Sequence, residues 1–379
     1  MSYQLIPDEF LRPTRIELNL AAIRSNFRII RDYLGKTKLA CVIKSNAYGH
    51  GLVPVAKALE EAGAEYLAVA LIEEGVILRR AGIRAPIIVL GGLLNSQIKL
   101  FLDYNLEPSV ASISKLQAVE ECARTLLKKA RIHLEIDTGM ERTGTHYYSC
   151  GEFLETALKS KHVEIVGIYS HFACADRSDQ ETTRLQLSRF LDVCKFFDGA
   201  SIRPLRHIAN SAGIFASRDN HLDLARVGIA LYGVTPNSHS KPPINLIRAM
   251  SIKSRVVYFK VVKKGAGVSY GHTWVAPYDT RVVTVPIGYG DGLPWELSNR
   301  GHVIIRGVKH PIIGKICMDQ LMVDIGPDGT AYNGDEVVIM GEQGGEKITV
   351  NDLVNVIGCS PHEVLACINT RVPRVYVNS

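Results

Sequence analysis

Short apolar runs alternate with longer amphipathic stretches from Thr14 to about Tyr232. The amphipathic stretches repeat their apolar residues every three or four positions, as Ile23, Phe27 and Ile30 do, which is typical of helices that cover a core. Helical patterns occupy residues 53–62, 73–81, 114–129 and 179–197. The apolar runs have the length of buried strands, and there are eight: residues 38–43, 66–70, 87–90, 107–110, 131–136, 163–169, 205–208 and 224–229.

This alternation predicts an α/β fold in which crossover helices join parallel strands. Eight such strands in about 220 residues fit a (β/α)8 barrel of the TIM type, whose catalytic groups lie at the carboxyl ends of the strands. An open, doubly wound sheet is the competing architecture. It is less favoured because no GxGxxG sequence follows the first strand.

The pattern changes after Pro242 and Pro243. Short β-branched runs separated by Gly, Asp or Pro then dominate, at residues 252–262, 281–286, 303–305, 312–316, 322–325 and 335–340, with helices only at 350–357 and 361–369. We therefore predict three parts: an N-terminal segment, residues 1–13, that packs on the β domain; a barrel, residues 14–243; and a mostly β C-terminal domain, residues 244–379. The stretch NSHSKPP, residues 237–243, is the predicted hinge.

Composition and charge narrow the function classes. The net charge of +6 is spread over 379 residues without a long basic run, so nucleic acid is not an expected partner. The eight cysteines form no CxxC pair, which suits reduced thiols in the cytoplasm and indicates no metal site. The sequence shows neither a signal-peptide pattern nor an apolar stretch long enough for a membrane span.

The strongest chemical candidate is Lys44, in the stretch LACVIKSNAYGHG at residues 39–51. An apolar run ends at this lysine and glycine-rich sequence follows, so the amine is predicted at the mouth of a buried strand. A lysine in a partly dry pocket has a lowered pKa and can form a Schiff base.

A predicted anion site lies further along the chain. The sequence HIANSAG, residues 207–213, follows the seventh strand and opens a helix, with Asn210 and Ser211 as N-cap residue types. The sequence ARVGIALYG, residues 225–233, follows the eighth strand, and Gly228 there permits close backbone approach. A simple capped helix is the alternative interpretation of the first of these segments.

These motifs together resemble those of the alanine racemases. The resemblance covers nearly the whole chain, from PTRIELNL at residues 13–20 through KSNAYGHG at 44–51 to GDEVVIMG at 334–341 and TRVPRVY at 370–376. It implies pyridoxal 5'-phosphate (PLP) as the cofactor, carried by Lys44. The residues it implies as further cofactor contacts are Tyr48, His207, Asn210, Ser211, Arg226, Gly228 and Ile229.

The resemblance also implies a reaction with two bases on opposite faces of the substrate. Lys44 serves one face and Tyr270, in GVSYGHT, serves the other, with His171 linking the phenol towards Arg226. Arg226 faces the pyridine nitrogen, and an arginine there donates a hydrogen bond without protonating the ring. The implied substrate-binding residues are Arg142, Tyr289, Met318 and Asp319. The family pairs the two domains across a head-to-tail homodimer, so a monomer is expected to be inactive.

Several positions depart from the family pattern. The usual KVDTGMGR reads EIDTGMER here, so Glu135 replaces a lysine that is commonly carbamylated, and Glu141 replaces a glycine. We expect Glu135 to supply the negative charge that positions Arg142. Trp295 stands where many relatives have arginine, and Thr370 stands where a phosphate-contacting tyrosine is common.

The expected function is PLP-dependent racemisation of L-alanine to D-alanine. The D-alanine would be used to build peptidoglycan. Racemisation of another small amino acid, such as serine, is an alternative. A non-catalytic PLP-binding protein and a PLP decarboxylase are two more, but the opposing base Tyr270 and the strings ARVGIALYG and CMDQ argue against them.

Overall fold

The structure is a computed structural model that describes residues 12–236 and 242–378. Most of the predicted N-terminal segment and residues 237–241 of the predicted hinge lie outside this part of the chain. The described residues form two compact units: one spans Ala22–Ile247, and the other combines the residues up to Ala21 with those from Arg248 onward. Within the described residues, no helix has the length and apolar character needed to cross a membrane.

The first unit is built on eight parallel strands. The first seven are hydrogen-bonded in chain order, each to the next, and the eighth pairs with the first. The seventh and eighth approach through two backbone bonds, from Asp223 to Arg206 and from Arg226 to Ala209, at 3.1 and 3.0 Å. The predicted barrel is therefore confirmed. It is nearly closed, since among the described residues only these two backbone bonds join the seventh strand to the eighth. Its strands are Lys38–Val42, Tyr66–Val69, Ile87–Val89, Glu107–Val110, Ala130–Asp137, Val163–Tyr169, Leu205–His207 and Leu224–Val227.

Helices follow the strands where the apolar periodicity predicted them. The helix Leu20–Leu34 buries Ile23, Phe27 and Ile30 completely and ends at Gly35, which adopts φ +66°. The others are Leu52–Glu61, Ile72–Arg80, Ile98–Asp103, Ile113–Thr125, Gly151–Lys159, Glu181–Cys194 and Ser211–Ala216, with 3-10 turns at Asn95–Gln97, Lys195–Phe197, Arg218–Asn220 and Ile229–Tyr232. A two-residue strand, Thr145–His146, pairs with the fifth barrel strand.

The second unit is mostly β, as predicted. Its main sheet runs in the order Tyr258–Val262, Thr280–Val285, Leu321–Gly326, Val308–Ile313, His302–Ile305, Glu336–Gln343, Met250–Arg255, Arg15–Asn19 and Arg374–Val377, with Glu346–Ile348 beside Glu336–Gln343. Gly267–Val268 and Trp274–Val275 form a small hairpin. The helices are Val350–Ile357 and Pro361–Ala366, with 3-10 turns at Tyr270–His272, Tyr289–Asp291 and Trp295–Leu297.

Two details of the β unit differ from the sequence pattern. The run at residues 252–262 is two strands, because the chain changes sheet partners at Val256 and Val257, whose N–H groups bond to Asp335 and Thr284. The strand Arg15–Asn19 pairs with two strands of the β unit. The predicted barrel begins at residue 14 and would include this strand. In the structure the residues up to Ala21 belong to the β unit, and the barrel unit begins at Ala22.

A buried carboxylate ties together three segments of the β unit. Asp291 is 1% exposed and accepts hydrogen bonds from Arg371 at 2.6 Å, from Arg12 at 2.9 Å and from the N–H of Gly288 at 3.0 Å. Burial alone would raise the pKa of Asp291, but the two guanidinium groups lower it overall. Arg371 also pairs with the exposed Asp319.

We expect Asp291→Asn to destabilise the protein by roughly 3 kcal/mol at pH 7, because it leaves two guanidinium groups without their buried anion. The lowered pKa of Asp291 means that its contribution is full above the unfolded pKa and disappears as the pH falls through the folded value. The difference in free energy of unfolding between wild type and variant, measured with urea, should therefore decrease below about pH 4. Asp319→Asn removes the exposed partner of Arg371 and is the matched control. A cost for Asp319→Asn equal to that for Asp291→Asn would contradict the role of burial.

Candidate active site

The predicted site residues of the barrel unit follow the carboxyl ends of its strands. Lys44 comes two residues after the first strand, His171 two after the sixth, Asn210 three after the seventh and Gly228 one after the eighth. The carboxyl ends of parallel strands lie at the same end of a barrel, where enzymes of this architecture carry their active sites.

The backbone beside Lys44 is strained. The four residues Ser45, Asn46, Ala47 and Tyr48 all adopt φ of 53–54°, a left-handed turn that costs L-residues about 1–2 kcal/mol each. The sequence predicts turns only at the glycines that follow, Gly49 and Gly51. Strain of this kind persists where the surroundings hold it in place, and it is concentrated at functional sites.

Glu74 is one of the groups that hold the turn. Its carboxylate accepts hydrogen bonds from the N–H groups of Ala70 and Leu71 at 3.0 and 3.2 Å, and from the N–H of Asn46 at 3.4 Å. The Asn46 side chain in turn accepts from the N–H of Leu52 at 2.8 Å. The turn is therefore fastened to the ends of two neighbouring elements.

The environment of Lys44 favours the neutral amine. Burial lowers the pKa of Lys44, and the positive charges of Arg142 and Arg226 lower it further, while Glu74 opposes them. A neutral amine is the nucleophilic form, and it is also the form that accepts a proton.

Arg226 is a buried charge that backbone and side-chain groups hold on several sides. It is 2% exposed, and its Nη atoms donate to the backbone oxygens of His207, Ser170 and Ile208 at 3.1, 2.7 and 3.2 Å. Nη1 also lies 2.8 Å from Nδ1 of His207, and Nη2 lies 3.3 Å from Nδ1 of His171. Among the described residues, no acceptor faces Nε, so one N–H of the guanidinium is left for a ligand.

Arg226 keeps its proton despite this burial. Burial lowers the pKa of Arg226 to about 10, partly offset by the phenol of Tyr169 and the carboxylate of Glu135. The guanidinium also lies 5.0 Å from the centroid of the Tyr169 ring, a cation–π distance. At neutral pH it is therefore a cation that can only donate hydrogen bonds.

The two histidines beside Arg226 are neutral. Burial, followed by the charge of Arg226, lowers the pKa values of His171 and His207 well below the usual range. Because the guanidinium cannot accept a hydrogen bond, Nδ1 of each ring is the acceptor and Nε2 carries the proton. His171 thus has an Nε2–H group available to a further partner.

The predicted anion site is assembled by close backbone approach. The hydroxyl of Ser211 accepts from the N–H of Gly228 at 2.9 Å, and Asn210 caps the helix by accepting from Gly213 at 2.9 Å. A Cβ on Gly228 would lie 2.5 Å from the hydroxyl of Tyr48, so only glycine fits there. The N–H groups of Ser211 and Ile229 have no acceptor among the described residues, which suits an anion.

Glu135 and Arg142 do not form the direct pair expected from the sequence. The carboxylate of Glu135 accepts from the hydroxyl of Thr143 at 2.7 Å, and within the described part of the chain Arg142 makes no ion pair. Burial raises the pKa of Glu135, although Thr143, Tyr169 and the nearby charges of Arg142 and Arg226 oppose the rise. Glu135 therefore acts on Arg142 only through space in this arrangement.

A group of possible cation ligands lies at the end of the fifth barrel strand and on the segment that follows it, up to His146. Asp137, Glu141 and His146 offer ligand atoms within 4.8 Å of one another. Asp137 already accepts from two backbone N–H groups of the loop at 2.8 and 2.9 Å. Glu141, which replaces the usual glycine, adopts φ +53°. The sequence pattern had not singled out this group.

The β unit carries the remaining predicted site residues. Tyr270 is 71% exposed and follows Ser269, which adopts φ +63° and donates its hydroxyl to the backbone of Lys315 at 2.5 Å. An open cavity of about 810 Å³, lined in part by Tyr270 and Cys317, lies in this unit. The phenol is thus presented outward from a braced turn.

Tyr289, Met318 and Asp319 lie together on the β unit. The N–H of Tyr289 bonds to Cys317 at 3.1 Å, and that of Gly290 bonds to Met318 at 2.9 Å. Gly288 permits this approach, because a Cβ there would lie 2.2 Å from the backbone oxygen of Cys317. The side chains of Tyr289 and Met318 remain 44% and 52% exposed.

Sequence reasoning missed several buried polar residues of the barrel. His133 and Glu107 lie inside it, behind His207, and Tyr169 stacks on His207 with centroids 5.0 Å apart. A signal was present, because His133, Glu135 and Asp137 alternate along the fifth strand, whose other residues are mostly apolar. Polar residues with a period of two in a buried strand indicate a polar barrel interior.

Two family models match this chain. The model described as "Alanine racemase, N-terminal domain" matches residues 18–236, and the model described as "Alanine racemase, C-terminal domain" matches residues 249–376. The chain is 41% identical over 370 residues to a protein named alanine racemase 2 from Caldanaerobacter subterraneus, covering 97% of this chain and 95% of that relative.

Solved structures agree with this match. An alanine racemase from Streptomyces lavendulae superimposes with a TM-score of 0.94 at 36% identity, covering 97% of this chain and 98% of that one. A histidine racemase from Leuconostoc mesenteroides has a TM-score of 0.88 at 27% identity, with coverage of 97% and 98%. The resemblance drawn from the motifs is confirmed: the chain belongs to the alanine racemase family.

Proposed function

We propose that this protein is a PLP-dependent alanine racemase that interconverts L- and D-alanine. Lys44 carries the proposal, because its amine has a lowered pKa and stands beside a strained turn at the strand ends. The family supports alanine as the substrate, and no observation on the chain favours serine. A PLP carrier without catalysis would not need the C-terminal domain that the chain possesses.

The barrel residues fit PLP. Lys44 offers the amine, Ser211, Gly228 and Ile229 with Tyr48 offer a cradle for the phosphate, and Nε of Arg226 offers a donor for the ring nitrogen. When bound, PLP acidifies the Cα–H bond of an amino acid attached to it by spreading the negative charge that deprotonation creates.

Arg226 would restrain that charge delocalisation. It is held by three backbone oxygens and two imidazoles, so it donates from Nε without releasing a proton. A ring nitrogen that stays unprotonated is a weaker electron sink, which disfavours side reactions such as transamination and leaves proton removal and return as the main path.

Two residues would move the proton. The phenol oxygen of Tyr270 removes the Cα proton of L-alanine on one face, and Nζ of Lys44 returns a proton on the other; the reverse reaction exchanges these roles. His171 would assist by directing its Nε2–H towards the phenol oxygen. Arg142 would bind the substrate carboxylate, with Met318, Tyr289 and Asp319 around the substrate.

We further propose a head-to-tail homodimer in which Tyr270 of the partner subunit completes the site of each Lys44. The outward presentation of Tyr270 supports this arrangement. The eight cysteines, all free thiols, support a cytoplasmic location, where D-alanine would supply peptidoglycan precursors.

Purified protein should be yellow, and borohydride should bleach the colour by fixing the cofactor on Lys44. Peptide mass mapping should then find the adduct on the peptide that contains Lys44. Lys44→Ala should carry no fixed cofactor, whereas Lys38→Ala, which alters an exposed lysine at the start of the strand that precedes Lys44, should behave as wild type. A full adduct on Lys44→Ala would overturn the assignment.

Tyr270→Phe should abolish racemisation while leaving one proton exchange intact, because Lys44 still serves its own face. In D2O we expect D-alanine to lose its α-proton signal in 1H NMR without forming L-alanine, and L-alanine to stay unlabelled. Tyr278→Phe alters another exposed tyrosine of the same unit and is the control. Faster exchange of L-alanine than of D-alanine would reverse the assignment of faces.

Mixed dimers test whether the site is shared. Lys44→Ala and Tyr270→Phe should each be inactive as homodimers. After dissociation and reassociation in equal amounts, half of the dimers combine the two variants, and each of these has one intact site. Roughly a quarter of wild-type activity should therefore return. No recovery, despite heterodimers detected by mass spectrometry, would argue that both residues act from the same subunit.

A further inference from the structure

The hydrogen bonds of Arg226 continue into the barrel beyond His207. Nε2 of His207 lies 2.9 Å from Nδ1 of His133, and Nε2 of His133 lies 2.9 Å from Oε2 of Glu107. The other carboxylate oxygen of Glu107 accepts from Nε of Arg131 at 2.8 Å. A continuous chain of four side chains thus runs from Arg226 to Glu107, and we call it the histidine relay.

The direction of every hydrogen bond in the relay is fixed by its two ends. Arg226 can only donate, so Nδ1 of His207 accepts and its Nε2 carries the proton. That proton is donated to Nδ1 of His133, which leaves the proton of His133 on Nε2. An ionised carboxylate can only accept, and Glu107 receives this last proton. Both imidazoles are therefore neutral and share one tautomer.

The relay is shut away from water. His133 and His207 are 0% exposed and Glu107 is 3% exposed. Burial alone would raise the pKa of Glu107, but the hydrogen bonds from His133 and Arg131 lower it overall, which keeps it ionised at neutral pH. Without competing water, each group takes its orientation from its neighbours in the chain.

The backbone makes room for the two rings to meet. A Cβ on Gly167 would lie 2.3 Å from Nδ1 of His133 and 3.0 Å from Nε2 of His207, so a larger residue would separate the rings. The ladder between the fifth and sixth strands shifts register at Ile132 and His133, which sets His133 opposite Gly167. A feature built from a glycine, a bulge and a buried acid is more specific than an ordinary core ion pair.

We propose that Glu107 and His133 are positioning residues that lock His207 in the tautomer whose Nδ1 accepts from Arg226. The lock keeps Arg226 turned so that Nε remains the free donor. The effect of this lock on catalysis rests on the proposed function, whereas the tautomers themselves do not depend on it.

Removal of the Glu107 carboxylate would allow the protons along the histidine relay to change position. Without Glu107, the proton of His133 can move to Nδ1, where it meets the proton on Nε2 of His207. Relief of that conflict moves the proton of His207 to Nδ1, which then faces an N–H of Arg226. The guanidinium must turn away, and Nε moves from the position where it is needed.

The first test reads the tautomers in the full-length protein before PLP is added. Long-range 1H–15N spectra of histidine-labelled protein, assigned with a His133→Asn variant, should show both rings as neutral Nε2–H tautomers at pH 7. A cationic ring or an Nδ1–H tautomer at either position would overturn the lock. This result is independent of whether the enzyme acts on alanine.

The second test compares three substitutions. Glu107→Leu should give His133 a mixture of tautomers. It should also lower kcat for alanine by about 10-fold to 100-fold, the loss typical when a carboxylate that orients a metal-binding histidine is removed. KM should stay within a few-fold. Glu107→Gln retains an oxygen that accepts from His133 and should recover most of kcat, because Arg131 keeps Glu164 as a partner at 2.9 Å.

The matched control is Glu164→Leu, which removes the other carboxylate on Arg131 but touches neither histidine. It should change neither the tautomers nor kcat. Equal losses in Glu107→Leu and Glu164→Leu would overturn the proposal in favour of a structural ion pair, as would wild-type tautomers in Glu107→Leu. If the wild-type protein does not racemise alanine, the proposed function fails while the spectra still decide the relay.

Discussion

The enclosure of one cation, Arg226, organises the barrel unit. A guanidinium that is 2% exposed is stable only if its N–H groups find acceptors, and the carboxyl ends of the sixth and seventh strands supply backbone oxygens of Ser170, His207 and Ile208. The neighbouring His171 and His207 are neutral, because burial and then the same charge lower their pKa values well below the usual range. Burial and one enclosed charge together thus set the protonation of the two histidines.

The lysine side of the site depends on a different constraint. Four consecutive left-handed residues after Lys44 are unfavourable by themselves, and Glu74 helps to hold them through backbone N–H groups on two elements. Burial and the charges of Arg142 and Arg226 then lower the pKa of the amine. The Lys44 amine is therefore shifted towards its neutral form, beside a turn that its surroundings hold in place.

The sequence predicted the architecture well because the barrel strands are short, apolar and separated by helices with a regular apolar periodicity. All eight strand positions and the β character of the second unit were readable from periodicity alone. The strand Arg15–Asn19 was harder, since its partners are more than 200 residues away in the chain. Only the folded sheet shows where such a strand pairs.

The site was predicted unevenly for similar reasons. Motifs identified Lys44, Arg226 and the glycine at 228 because those residues belong to local strings. The left-handed turn was not predictable, since none of its four residues is a glycine. The partnership of Glu107 and His133 joins two different strands, and the pairing of Glu135 with Thr143 instead of Arg142 depends on side-chain reach.

The proposed role of Arg226 is to donate a hydrogen bond from Nε to the cofactor ring without protonating it. The most direct measurement is the 15N chemical shift of the ring nitrogen in protein reconstituted with PLP labelled at that atom. We expect the shift of an unprotonated, hydrogen-bonded pyridine, unchanged from pH 6 to pH 9. A pyridinium shift within that range would contradict it.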